Sequence, residues 1–213
     1  MPEVLAIDRN QPDPALIAYC VYRLKRGDVV GMPTDTFYGL AVDPVNLRAV
    51  QQVYEIKGRA SSKPLSLLIG SVGQAVSLTR DLPPMFFALA ERFWPGPLTL
   101  IVNAGSGLPL RVTANTGHVA IRIPAAPISR AVVEAMDFPI TATAASLLGH
   151  PECITASEVC DQLGERISLV LDAGSAPRRE FSTIVDLSGS PGEWNIQRAG
   201  AIPAGEVAEI LWA

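Results

Sequence analysis

Short apolar segments separated by glycine and proline run along the whole chain, and their spacing predicts alternating helices and strands. Apolar residues at helical spacing from about Pro14 to Arg26, followed by Gly27, predict a first helix that stops at the glycine. Asp43 is predicted to cap a second helix, with Pro44 in its first position. Three further helices are predicted at about Pro84–Phe93, Ile128–Met136 and Ala156–Leu163.

Short apolar runs between these helices predict buried strands. In chain order these strands are Val29–Met32, Leu65–Ile69, Leu98–Val102, Val119–Ile123, Ile140–Thr143, Leu169–Asp172, Thr183–Leu187 and Trp194–Gln197. Several of them follow one another with no helix between, which is typical of a mixed sheet rather than a purely parallel one. The pattern therefore predicts one α/β domain.

Composition favours a soluble folded chain. Of the 213 residues, 48% are hydrophobic and 18% are charged, with a net charge of −4, so core material is ample and disorder is not expected. The least charged stretch, from Phe93 to Leu110, is interrupted by Pro95, Pro97 and Pro109, which argues against a membrane span. No basic region followed by an apolar one opens the chain, so we expect no signal peptide and a cytoplasmic protein.

The common motifs of nucleotide binding and nucleophilic catalysis are missing from the sequence. There is no G-x-x-x-x-G-K-[ST], no G-x-G-x-x-G and no G-x-S-x-G. Three cysteines and two histidines show no metal-ligand spacing, so we expect no metal held by protein side chains. The negative net charge argues against a general nucleic-acid coat, although a local basic groove remains compatible with it.

Positive charges gather between a predicted helix and a predicted strand, at Lys57, Arg59 and Lys63. We expect them to project from a loop at the edge of the sheet, where arginine can fork two phosphate oxygens and lysine acts as a point charge. A solvated helix C-terminus, where cations suit the helix dipole, is the alternative explanation.

Arg122 interrupts an apolar strand. Alternation along the strand places it on the face opposite Val119, Ile121 and Ile123. That face is either exposed to water or part of a polar cleft that holds an anion, and the pattern alone leaves both interpretations open.

Polar residues also stand next to predicted strands at Pro33–Thr36, Ser182–Thr183 and Arg198. The first of these segments directly follows a strand, where open α/β sheets bind ligands, and it offers two hydroxyls and a carboxylate. An ordinary turn with side-chain-to-backbone hydrogen bonds would use the same residues.

Six segments of the chain form a series in a fixed order. They are Gly31–Leu40 (GMPTDTFYGL), Lys57–Arg59 with Lys63–Leu65, Trp94–Thr99 (WPGPLT), Val119–Pro124 (VAIRIP), Ser182–Asp186 (STIVD) and Arg198–Ile202 (RAGAI). In this order they resemble the motifs of the YrdC-type family, the L-threonylcarbamoyladenylate synthases. The resemblance implies a twisted mixed sheet with flanking helices and an open positively charged cleft. It also implies a single YrdC-like domain over residues 1–213, with no additional C-terminal domain.

The resemblance further implies an enzyme, a nucleotidyltransferase that condenses L-threonine, bicarbonate and ATP to threonylcarbamoyl-AMP and pyrophosphate. A tRNA threonylcarbamoyl transferase complex would then pass the group to adenosine 37 of tRNA. Anionic substrates and a pyrophosphate leaving group call for fixed cations rather than a nucleophilic side chain, so no residue is assigned beyond substrate positioning. Mg²⁺ would accompany ATP and help to neutralise its phosphates.

Two sets of residues would hold these substrates, again by resemblance. The threonine set, with Arg122 on the carboxylate, is Thr34, Thr36, Arg122 and Ser182. The ATP set is Lys57, Arg59, Lys63, Ala144, Ser146 and Arg198.

One segment departs from the family pattern. Where the family usually has Thr-Ser-Ala-Asn, the chain has Thr143-Ala144-Ala145-Ser146, so a hydroxyl and an amide that would contact the nucleotide are replaced. Each lost hydrogen bond to a charged ligand costs about 1.5–3 kcal/mol.

Three functional interpretations remain open at this point. The first is an active synthase with an adjusted nucleotide pocket. The presence of Lys57, Arg59 and Lys63 favours this interpretation over the second. The second is a YciO-type paralogue with a different or slower activity. The third is a non-catalytic module for structured RNA, either double-stranded RNA or tRNA. With 17 basic against 21 acidic residues, the chain lacks the broad cationic surface that such a module needs.

Overall fold

The computed structural model of the chain describes residues 1–58, 63–177 and 180–212. The helices in these ranges are α1 Pro14–Lys25, α2 Leu47–Lys57, α3 Val72–Leu78, α4 Pro84–Phe93, α5 Pro127–Met136, α6 Ala156–Leu163 and α7 Ala204–Leu211. The strands are β1 Glu3–Ala6, β2 Val30–Met32, β3 Gly39–Ala41, β4 Ser66–Leu68, β5 Leu98–Asn103, β6 His118–Arg122, β7 Ile140–Thr141, β8 Thr143–Ala144, β9 Leu169–Asp172, β10 Thr183–Asp186 and β11 Asn195–Arg198. The predicted α/β class is confirmed.

The strands form two mixed sheets rather than one. The five-stranded sheet has the order β1-β9-β2-β3-β8, and the six-stranded sheet has the order β11-β10-β5-β6-β4-β7. Each contains parallel pairs, such as β1 with β9 and β4 with β6, and antiparallel pairs, such as β2 with β3 and β5 with β6. The predicted mixture of parallel and antiparallel strands is therefore confirmed. The sequence did not predict that the strands divide between two sheets.

The predicted strand Ile140–Thr143 explains this division, because it splits at Ala142. The first half, β7, pairs with β4 of one sheet, whereas the second half, β8, pairs with β3 of the other. At this corner the Thr141 amide donates to the Val42 carbonyl at 3.0 Å, and the Val42 amide donates to Thr141 Oγ1 at 3.0 Å. The chain thus passes from one sheet to the other with its backbone groups satisfied.

The first two helices begin at side-chain caps. Asp13 Oδ1 accepts from the Ala15 amide at 2.8 Å and opens α1. The predicted start of the second helix at Asp43 is wrong, because Asn46 Oδ1 accepts from the Ala49 amide at 3.1 Å and α2 begins after it. Asp43 uses its own carboxylate to hold the preceding turn, accepting from the Val45 amide at 3.0 Å.

Two clusters of buried side chains pack these elements together. The larger cluster includes Val53 of α2, Leu67 of β4 and Ile121 of β6, all without solvent exposure. The second places α1 and α5 against the five-stranded sheet through residues such as Leu24 and Val132. Within the described ranges, none of the helices combines the length and the apolar character that crossing a bilayer requires.

Candidate substrate-binding cleft

A cleft of about 680 Å³ opens between the two sheets. The six-stranded sheet contributes side chains of β4, β5, β6, β10 and β11, and the five-stranded sheet contributes β8 and the segment that leads into β3. Most of the described candidate residues line it, namely Thr34, Thr36, Lys57, Lys63, Arg122, Ala144, Ser182 and Arg198. Residues far apart in the sequence are therefore brought to one place.

Arg122 is buried at the wall of this cleft and is not exposed to bulk water. Its Nε donates to the carbonyl of Gly96 at 2.9 Å, its Nη1 donates to Thr36 Oγ1 at 3.4 Å, and its Nη2 pairs with Asp35 Oδ1. Gly96 is required there, since a Cβ at this position would lie 2.3 Å from the carbonyl oxygen of Phe93. Of the two interpretations of this strand, the structure supports the polar cleft.

The Pro33–Thr36 segment combines the two roles that the sequence left open. Thr34 Oγ1 accepts from the Thr36 amide at 3.1 Å, donates to the Phe37 carbonyl at 2.6 Å and lies 3.0 Å from Thr36 Oγ1. These bonds make a side-chain-stabilised turn, and the two hydroxyls still line the cleft. The carboxylate of this segment, Asp35, is buried, pairs with Arg122 and also accepts from the Ala125 amide at 3.2 Å.

A second cationic group stands beside the first. Arg198 donates from Nε and Nη2 to the Ser182 carbonyl at 3.1 and 2.9 Å, and from Nη2 to Ser182 Oγ at 2.9 Å. Ser182 Oγ lies 2.8 Å from Thr99 Oγ1. The guanidinium carbon of Arg198 also lies 4.6 Å from the centre of the Phe181 ring, an arrangement that favours a cation. Ser182 thus holds the nitrogens of the Arg198 guanidinium, and the Phe181 ring packs against its face.

The electrostatics of this pair favour an anionic ligand. Burial lowers the pKa of Arg198, and the positive charge of Arg122 lowers that pKa further. A guanidinium nevertheless stays protonated at neutral pH. Two partly desolvated cations therefore face one cleft, and an anion between them would relieve their repulsion.

Lys57 does not project from a loop, so that expectation is wrong. It is the last residue of α2, which ends at Gly58 in the left-handed conformation with φ +55°, and its side chain is buried. Its Nζ donates to the Ala144 carbonyl at 2.9 Å, to the Ser146 carbonyl, and to Ser146 Oγ at 3.1 Å. Ser146 Oγ donates in turn to Glu152 Oε2 at 2.6 Å.

The segment that differs from the family pattern, Thr143–Ser146, is therefore held by a polar network of this chain's own residues. Ser146 is only 1% exposed and its hydroxyl is engaged by Lys57 and Glu152, so it lies behind the cleft wall. Ala144 reaches the cleft surface itself, and so does Glu152, which sequence reasoning missed. The sequence gives no indication that Glu152 is linked to Lys57 through Ser146, because Glu152 and Lys57 are far apart in the chain.

Of the two remaining basic candidates, only Lys63 lies within the described residues, and it lines the cleft. Lys63 is exposed, and its carbonyl accepts from the Tyr54 hydroxyl at 2.9 Å. Arg59 lies outside the described residues. His118, another residue that sequence reasoning did not select, lines the cleft, and its buried Nδ1 has no hydrogen-bond partner within the described ranges. Among the residues that the structure describes, no three His, Cys, Asp or Glu side chains come together as a metal site.

Comparison with known proteins places the chain in context. The family model Sua5_yciO_yrdC, described as telomere recombination, matches residues 23–200. A threonylcarbamoyl-AMP synthase of Pyrococcus abyssi is 33% identical over 190 residues, which are 88% of this chain and 55% of that protein. The Bacillus subtilis protein of the same name is 40% identical over 180 residues, 84% of this chain and 51% of that protein. The chain thus spans about half the length of these two relatives.

Solved structures agree with the sequence matches. Pyrococcus abyssi Sua5 complexed with L-threonine superposes with a TM-score of 0.92 at 30% identity, covering 97% of this chain and 60% of that one. Escherichia coli YciO, at 21% identity, has the same fold with a TM-score of 0.86 and covers 95% of this chain and 98% of that one. By its fold, its cleft residues and these matches, the chain belongs to the Sua5/YciO/YrdC family.

Proposed function

We propose that the cleft condenses L-threonine, bicarbonate and ATP to threonylcarbamoyl-AMP, with release of pyrophosphate. The observation that carries this proposal is the pairing of buried Arg122 with half-buried Arg198 in one cleft, with the hydroxyls of Thr34, Thr36 and Ser182 around them. Further support comes from relatives named for this activity and from the relative whose structure contains L-threonine.

Threonine recognition would centre on Arg122. Gly96 and Asp35 orient the guanidinium, and Nη1, which donates to Thr36 Oγ1 at the cleft, would donate to a ligand carboxylate. Thr34 and Thr36 hydroxyls next to it can donate to or accept from the ammonium and hydroxyl groups of threonine. A guanidinium already fixed by protein partners pays little entropy when it binds.

The nucleotide would occupy the rest of the cleft. Arg198 and Lys63 line it, Lys57 approaches it from behind the Ala144 segment, and Arg59 remains a sequence-based assignment. Mg²⁺ would enter as part of the substrate Mg²⁺·ATP and help to neutralise its phosphates.

The chemistry needs positioning and charge stabilisation rather than a covalent enzyme intermediate. The threonine amine adds to the carbon of bicarbonate and water leaves, which gives a carbamate. A carbamate oxygen then attacks the α-phosphorus of ATP, the bond from that phosphorus to the bridging oxygen breaks, and pyrophosphate leaves with the electron pair. Fixed cations stabilise the negative charge that develops on the phosphoryl oxygens. We further propose that the product is handed to a tRNA-modifying transferase and that the chain acts in the cytoplasm.

Pyrophosphate release with single-substrate omissions tests this proposal. We expect release that requires L-threonine, bicarbonate and ATP together, and that falls about a hundredfold in Arg198→Ala. Arg130→Ala is the matched control, since Arg130 is an exposed arginine of α5 paired with Glu134. Release that does not need threonine, or full activity in Arg198→Ala, would contradict the proposal.

A further inference from the structure

Two aromatic rings meet across the cleft. Phe37 precedes β3 of the five-stranded sheet, and Phe181 precedes β10 of the six-stranded sheet. Both side chains line the cleft, and their ring centres lie 5.0 Å apart with an angle of 58° between the two planes. Tilted rings at this separation attract each other. The pair therefore joins the two walls of the cleft.

Both rings project from fixed points of the main chain. The Phe37 carbonyl accepts from Thr34 Oγ1 at 2.6 Å, and the Phe181 carbonyl accepts from the Ala201 amide at 2.9 Å. Gly200 permits the second contact, since a Cβ at this position would lie 2.4 Å from the Phe181 carbonyl oxygen. The contact between the rings is thus supported by hydrogen bonds on both walls.

The Phe181 ring also packs against the Arg198 guanidinium, whose central carbon lies 4.6 Å from the ring centre. Ser182 accepts from Nε and Nη2 along one edge of the same group. Nη1 has no acceptor in the described part of the chain. Because Arg198 lines the cleft, Nη1 is the nitrogen that is left for a ligand.

The edge contact and the face contact together restrict the guanidinium. Rotation of the planar group would break its hydrogen bonds to Ser182 or drive it into the Phe181 ring. A donor that is already held in one orientation loses less conformational entropy when a ligand binds. Without the ring, Ser182 alone would hold one edge and the face of the guanidinium would be uncovered.

We propose that Phe181, supported from the opposite wall by Phe37, is a positioning residue that holds the Arg198 guanidinium in place for ATP. The proposal rests on the proposed function, in which ATP is the anion that Arg198 contacts. Phe181 acts through Arg198, and its role needs no contact between the ring and the ligand.

The packing of the ring on the guanidinium is observable without any ligand. In ¹H–¹⁵N spectra of the full chain, the ring current of Phe181 shifts the Arg198 Nε–H signal away from the ordinary arginine position, and Arg198→Lys assigns that signal. We expect Phe181→Leu and Phe37→Leu to move the signal towards the ordinary position. Phe181→Tyr, which keeps the ring, should leave it in place, and so should the control Phe87→Leu on the exposed surface of α4. An Arg198 signal that stays in place in either Phe181→Leu or Phe37→Leu would overturn the proposal.

A double-mutant cycle tests whether Phe181 acts through Arg198. In titration calorimetry, Phe181→Leu should bind Mg²⁺·ATP about fivefold more weakly than the wild type, the loss of a partly desolvated cation–π contact. Phe181→Tyr should stay within about twofold of the wild type. In an Arg198→Ala background, Phe181→Leu should change the affinity by less than about twofold, because the group that the ring holds is gone.

Equal losses of affinity in the two backgrounds would overturn the proposal, since they would show that Phe181 acts independently of Arg198. Failure of the chain to bind Mg²⁺·ATP would overturn it as well. Non-additive binding of Mg²⁺·ATP in a chain that forms no threonylcarbamoyl-AMP would support the proposal and contradict only the proposed function.

Discussion

Asp35 and Arg122 form a buried ion pair in which carboxylate Oδ1 accepts from guanidinium Nη2, while Oδ2 has no hydrogen-bond partner among the described residues. Arg122 is therefore held by a carboxylate that no other cation shares in the described ranges. Its Nη1 donates to the Thr36 hydroxyl in the cleft. The pair links the stability of the fold to the geometry of the proposed threonine site.

Removing the carboxylate should affect both properties. Asp35→Ala leaves a buried guanidinium without its counter-charge, so we expect the free energy of unfolding to fall by about 3 kcal/mol in urea denaturation. In the variant that remains folded, KM for threonine should rise at least as much as KM for ATP.

The matched control for this variant is Asp161→Ala, on the exposed surface of α6. A surface change of this kind should alter the free energy of unfolding by about 0.5 kcal/mol or less. Equal effects of the two substitutions would show that Asp35 does not stabilise Arg122.

Arg122→Lys tests the recognition of the substrate carboxylate. Lysine keeps the charge but cannot fill the positions of Nε, which donates to Gly96, and of both terminal nitrogens. Titration calorimetry should show L-threonine binding at least about tenfold more weakly, the loss of one hydrogen bond to a charged group.

Threoninol, which lacks the carboxylate, distinguishes recognition from general damage to the cleft. It should bind to the wild type and to Arg122→Lys with similar affinity. A parallel loss for both ligands would contradict the assignment of Arg122 to the carboxylate.

The buried Lys57–Ser146–Glu152 network predicts coupling between its two charged ends. Lys57→Met alone removes the hydrogen bonds that Nζ donates to the Ala144 carbonyl and to Ser146, and it leaves the Glu152 carboxylate without a nearby positive charge. Glu152→Gln alone removes a negative charge near Lys57. A double-mutant cycle followed by urea denaturation should therefore give an interaction energy of about 1 kcal/mol or more. Additive effects within about 0.3 kcal/mol would show that the serine hydroxyl does not connect the two charges.

The thiols predict a particular dependence on pH. Burial raises the pKa of the Cys20 and Cys153 thiols to about 12 from their ordinary 9.0. The folded chain keeps these protons between about pH 9 and 12, where the unfolded chain releases them. The stabilisation is therefore complete below pH 9 and is lost as the pH rises through this range.

Alkylation measures the same burial directly. At pH 8, iodoacetamide should modify the native chain only at Cys160, which is partly exposed, and modify all three cysteines in urea. Intact-mass analysis counts the additions. Rapid labelling of Cys20 in the native chain would contradict the buried assignment.

The sequence predicted the parts of the fold that depend on long apolar patterns. Helix α4 was predicted at Pro84–Phe93 and is found there, because its apolar stripe and its proline at the start agree. Short elements carried too little pattern to be predicted: β3 has three residues, Gly39–Ala41, and α3 has seven. Nor did the sequence predict β1 and α7.

The candidate site was predictable only where a residue broke its local pattern. Arg122 was conspicuous as a charge in an apolar strand, and the structure places it in the cleft. Glu152 and His118 were missed, and the pairing of Asp35 with Arg122 was not predicted, because each depends on a partner or a cleft wall distant in the chain. Lys57 was misplaced for the same reason: its buried partners, Ala144 and Ser146, are supplied by tertiary packing.

Isotope transfer into the product tests the central claim most directly. The chain is incubated with Mg²⁺·ATP, L-threonine and ¹³C-bicarbonate, and the nucleotide products are analysed by mass spectrometry. We predict a threonylcarbamoyl-AMP whose mass rises by the single ¹³C, and whose formation is lost in Arg198→Ala and retained in Arg130→Ala. A nucleotide pool that contains ATP, ADP or AMP but no labelled threonine adduct would contradict the account.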